Sequence, residues 1–132
     1  KSKLELRNTH ESIFTFCRAE LLAENYFHTV FEAVKSVAEK IRQETGLTED
    51  GSELIDKAFS IRNPLIKINS LASSTEESEH KGFANLIKGV FGMFRNTTAH
   101  SPKIIWNISE EDALDILSTI SLIHRKLEYN LH

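Results

Sequence analysis

The sequence predicts an all-α protein, a bundle of four main helices plus a short one. Three observations lead there. Apolar residues recur three and four positions apart along most of the 132 residues. No stretch alternates apolar and polar residues over the length of a strand. Helix start and stop signals punctuate the chain at intervals that suit short loops.

Lys1 to Thr9 is a polar lead-in. Ile13, Phe14, Cys17 and Leu21 place a helix from about His10 to Glu24, which Asn25 either ends or follows as the cap of the next. Tyr26, Phe27, Val30, Phe31, Val34, Val37, Ala38 and Ile41 carry the rhythm on to about Glu44. Thr45-Gly46-Leu47 is its stop, with Gly46 left-handed and Leu47 folding back on the last turn. A short helix follows from about Asp50 to Phe59.

Ile61 to Ser78 is the least regular part. Asn63-Pro64 breaks any helix, Leu65, Ile66 and Ile68 pin the first half, and Ser70 to Ser78 reads as a mobile loop. The central helix starts near Glu79. Phe83, Leu86, Ile87, Val90 and Phe94 lie within about 60° of one another's mean direction and form its core face. Ser101-Pro102 forces an exit, and Lys103 to Asn107 is extended, with Trp106 reading as buried packing. Ser109-Glu110-Glu111-Asp112 is an acidic variant of the capping box. It opens a last helix whose apolar face is Ala113, Ile116, Leu117, Ile120, Ile123 and Leu127.

The length suits one domain covering residues 1–132, and the opening Lys1 leads us to expect the C-terminal part of a longer protein. With 40% hydrophobic and 27% charged residues and a net charge of -3, only a local patch could hold nucleic acid. The single cysteine, Cys17, cannot form an internal disulfide and fits a reducing, cytoplasmic setting. No apolar run approaches the ~20 residues that span a bilayer, so no membrane partner is expected.

Behind the core face of the central helix lies a stripe of small residues: Asn85, Gly89, Gly92, Asn96 and Ala99. A glycine inside a helix costs roughly 1 kcal/mol against alanine, so two on one stripe ask for a reason. Close approach of a second backbone supplies one, and we read Asn85, Gly89 and Gly92 as a homodimer interface. Arg95 and His100 border the stripe. On a straight helix they lie about 140° apart, whereas Asn96 and His100 are about 40° apart. Arg95 and His100 therefore converge only if the helix breaks between them or if two copies share one site.

These residues suit RNA strand scission by the ribose 2′-hydroxyl, which needs a base, an acid and a cation for the phosphorane. Imidazole serves as base or acid near neutral pH, and guanidinium holds phosphate bidentately. No metal or other cofactor is called for. Lys81, Lys88 and Lys103, together with Arg95, are candidates for a positive groove that holds RNA, and Lys35 with its neighbour Glu32 is a candidate for lining the cleft. The histidines at 10, 28, 80, 124 and 132 show no ligand spacing. Asp112 and Asp115 fit the field of a helix N-terminus.

Phe94-Arg95-Asn96-Thr97-Thr98-Ala99-His100 resembles the Arg-x4-6-His motif of the HEPN superfamily. The order of features resembles its Ymh-type family more closely: the Cys17 helix, Tyr26-Phe27 before Glu32-Ala33-Val34-Lys35, Gly46-Leu47, Ala58-Phe59, Gly82, Gly89, the motif, and Glu111 to Leu127. The likeness covers about residues 10 to 130. It implies a HEPN-like bundle that dimerises so that two motifs face one cleft, and a metal-independent endoribonuclease of toxin-antitoxin or anti-phage systems. Arg95 and His100 would be the catalytic pair and Asn96 their orienting neighbour. A neutralising antitoxin, or a sensor domain of the same chain, would be the further partner. Some such toxins carry a modifiable tyrosine two residues after the histidine; here that position is Pro102, so that regulation is not implied. Binding of RNA or a nucleotide without turnover, or dimerisation alone, are the alternatives.

Overall fold

The computed structural model describes residues 26–96 and 108–129, with the backbone alone at 27, 95 and 96. Every regular element among them is helical: α1 (Tyr26–Thr45), α2 (Gly51–Ala58), α3 (Ser74–Val90), a π-helical segment (Phe91–Asn96) continuous with α3, and α4 (Glu110–Leu127). The all-α expectation holds. The predicted helix over His10 to Glu24, with Cys17, and the stretch holding Trp106 lie outside the described residues.

The hub of the packing is α1. Thr29, Val30, Ala33, Val34, Ser36, Val37, Ala38 and Ile41 are all buried, covering about 200° of its circumference. A helix apolar over one stripe needs one neighbour; one buried this far round needs neighbours on two sides. It packs against α4 on one side and against α2 and the π segment on the other. The α4 side carries a polar pair. Ser36 Oγ donates to the Ala33 carbonyl at 2.6 Å, and the buried His124 Nε2 lies 3.0 Å from the same oxygen. The serine's one proton is thus spent, so Nε2 carries a hydrogen and donates it to Ser36.

The end of α1 is as the sequence predicts. Gly46 has φ +78° and its N–H bonds the Arg42 carbonyl at 2.8 Å, the left-handed cap that only glycine adopts without cost. Leu47 packs against the core, its N–H held by Thr45 Oγ1 at 3.1 Å. Asp50 then caps α2 by accepting from Gly51 N at 2.8 Å.

Two expectations are corrected. Ser70 to Ser78 is not a mobile loop, because α3 begins at Ser74 rather than near Glu79. Ser73 Oγ accepts from Glu76 N at 3.2 Å, and Glu76 Oε1 accepts from Ser70 Oγ at 2.6 Å and Ala72 N at 2.7 Å. Asn69 Nδ2 donates to the Glu76 carbonyl and to Glu79 Oε1, which ties the approach to the first two turns. The Ser73-x-x-Glu76 spacing was the signal for this start.

The second correction concerns the core face of α3. His80, Phe83, Ile87, Val90, Phe91 and Phe94 are buried, but Leu86 is 38% exposed. The packed face centres on Ile87, about 40° round from Phe83, which brings in His80 and Phe91 and leaves Leu86 outside. Leu65 is likewise exposed at its side chain, while Ile66 is buried and Ile68 packs against the core. His80 Nε2 donates to the Phe59 carbonyl at 2.8 Å, fastening α3 to the end of α2.

Candidate functional site

The motif helix changes character where the motif starts. A regular α-helix gives way at Phe91 to a π-helical turn that runs to Asn96. A π turn advances about 80° per residue instead of about 100°, so by Asn96 the backbone register lags a straight helix by about a quarter turn. Phe91 and Phe94 are both buried, against α1 and α2, while Gly92 and Met93 between them stay outside. Wide turns of this kind are frequently found at functional sites.

The π turn lies on the N-terminal side of the motif and ends at Asn96, and the span from Thr97 to His100, where the convergence of Arg95 and His100 would be decided, lies outside the described residues. The π turn also carries the backbone of Asn96 off the line of Asn85 and Gly89. The side chains of Arg95 and Asn96, and all of His100, Ala99 and Lys103, lie outside what the structure describes.

The small-residue stripe is open. Asn85, Gly89 and Gly92 are exposed. A Cβ built on Gly82, Gly89 or Gly92 would meet nothing within 4 Å, so no contact within the described fold requires these glycines. Two large apolar side chains flank the stripe: Leu86, 38% exposed, and Met93, 63% exposed. Leu86 precedes the π turn and Met93 lies within it. This rim is what the sequence reading missed, since it assigned Leu86 to the core and gave Met93 no part.

The lysines are less free than their sequence suggests. Lys88 Nζ lies 2.8 Å from Asp56 Oδ1 across the α2–α3 boundary. Lys35 Nζ lies 3.4 Å from Glu32 Oε2 and 5.7 Å from the Phe31 ring centre, so Glu32 and Lys35 form the surface pair their spacing allows. The same carboxylate is 3.9 Å from His28 Nε2.

Among the described residues no three His, Cys, Asp or Glu side chains gather as metal ligands. Asp112 sits in the first turn of α4, its N–H donating to the Ser109 cap at 3.1 Å, which agrees with a capping role. No described helix is long and apolar enough to cross a membrane.

Comparison with known families gives one match: the model of a family described as "Protein of unknown function (Hypoth_ymh)" matches residues 7–127. No curated protein and no solved structure matches significantly.

Proposed function

The chain belongs to the Hypoth_ymh family, and from its residues we propose that it is a metal-independent endoribonuclease of the HEPN type, acting as a homodimer. His100 takes the proton of a ribose 2′-hydroxyl or gives one to the departing 5′-oxygen. The 2′-oxygen bonds to phosphorus, the phosphorus–5′-oxygen bond breaks, and a cyclic phosphate and a free 5′-hydroxyl result. Arg95 neutralises the phosphorane and Asn96 orients the pair. A single Arg–His pair supplies one imidazole, whereas the reaction needs a base and an acid, so two protomers complete one site.

The observation that carries this reading is the π turn at Phe91–Asn96. The helix leaves regular α geometry just as it reaches the motif, in the turn that carries Arg95. The open glycine stripe rimmed by Leu86 and Met93 supports the dimer. A role in toxin-antitoxin or anti-phage systems, with an antitoxin or attached sensor domain as partner in the cytoplasm, belongs to the same proposal.

The test is incubation of the protein with structured and single-stranded RNA in EDTA, beside His100→Ala prepared identically. We expect cleavage by the parent only. Equal cleavage by both would remove His100 from the chemistry, and binding without cleavage by the parent would leave an RNA-binding module.

A further inference from the structure

Asp56 is an unexpected residue where it stands. It occupies the last turn of α2, where the carbonyl ends of the helix disfavour a carboxylate, while Lys57 beside it suits that end. What offsets this is Lys88, 2.8 Å away on α3. The pair joins residues 32 apart in sequence, so the packing of two elements creates it and not local helix spacing. Lys88 stands in the last turn of α3, immediately before the π turn, and α2 touches that turn directly. Asp56 is thus tied to the last turn of the helix that runs on into the segment carrying Arg95.

Resting on the ribonuclease reading above, we propose that Asp56 is a built-in competitor for RNA phosphate: it holds Lys88 in the free protein and must release it for the lysine to meet the backbone. A carboxylate and a phosphate oxygen offer the same charge-assisted acceptor to an ammonium group. The protein thus enters binding with this cation already neutralised, and weak, salt-sensitive RNA capture follows. Exchange is feasible because the pair is exposed, with Asp56 62% accessible, and exposed pairs are held weakly. Lys35 is also held by a carboxylate, Glu32 at 3.4 Å, but that pair is a local one within a single helix.

The experiment measures binding of a fluorescein-labelled single-stranded RNA by anisotropy at low salt, for the parent and the Asp56→Asn, Lys88→Gln and double variants. To separate binding from turnover, all four carry His100→Ala. Asp56→Asn should raise affinity by about two- to fivefold, the scale of an exposed ion pair. The gain should vanish in the Lys88→Gln background and shrink as salt rises. Glu53→Gln, which removes a carboxylate paired instead with Lys57, should change nothing. Unchanged affinity in Asp56→Asn, or a gain that persists without Lys88, overturns the competitor role while leaving the ribonuclease reading intact. Failure of every variant to bind RNA overturns both.

Discussion

The hydroxyl of Ser36 does two things at once, and that makes it a sensitive position. It donates to the Ala33 carbonyl and accepts from His124 Nε2, inside a contact between α1 and α4 from which water is excluded. Replacing Ser36 by Ala removes the acceptor and leaves a buried N–H facing a methyl group. A cost of about 1–3 kcal/mol is expected, read as a lower midpoint in urea with an unchanged slope. Ser36→Thr, which keeps the hydroxyl, should recover part of it. Neither residue advertised this role in sequence. Ser36 sits between Lys35 and Val37 with nothing to mark it, and only the fold brings it to a residue 88 positions away.

At the scale of the element, α3 shows what patterning does and does not fix. Its existence, its core face and its small-residue stripe were legible, because all three follow from positions three and four apart. Its start was misplaced because Ser70 to Ser78 has the composition of a loop, and a capping box inside it outweighed that composition. The exact direction of its core face was missed, because a wheel drawn around Phe83 takes in Leu86 at about 60° and leaves Phe91 out at about 80° on the other side. The π turn carried no sequence signal of its own. Of the candidate site, the spacing of Arg95 and His100 and the openness of the glycines were readable, whereas the pairing of Lys88 with Asp56 depends on tertiary packing. One prediction belongs here. Gly89→Leu meets no described neighbour and gains helix propensity, on the order of 1 kcal/mol. The folded monomer should therefore melt higher while light scattering shows loss of the dimer. A dimer that survives would move the interface elsewhere.

The whole molecule is tied together at its surface by carboxylates, and these set its response to acid. Glu76 is held below the ordinary carboxylate value of 4.5 by the Ser70 hydroxyl and then by the Ala72 N–H. Glu79 is held down by the Asn69 amide and by Lys126 of α4. Glu49 is lowered by its bond to Lys57. A folded-state value below the unfolded one contributes stability that is full above about 4.5 and is lost as pH falls through the folded value. The melting temperature should hold steady through neutral pH and fall on acidification below 4.5. The double variant Glu76→Gln/Glu79→Gln should show a shallower acid limb than the parent; an identical limb would place the proton uptake elsewhere.

The central position of α1 has a consequence for synthesis. Among the described residues its partners follow it in the chain, and the last of them, α4, ends at Leu127. While the ribosome is still making the intervening residues, the face that carries Thr29 and Ser36 has no α4 to close over it. α1 can settle against α2 and the π segment as they emerge, but the core is complete only when the final helix is released. A nascent chain stalled before residue 110 would thus display a half-covered helix, open to chaperones or to the wrong neighbour. A pair 88 residues apart, Ser36 and His124, would be among the last contacts to form.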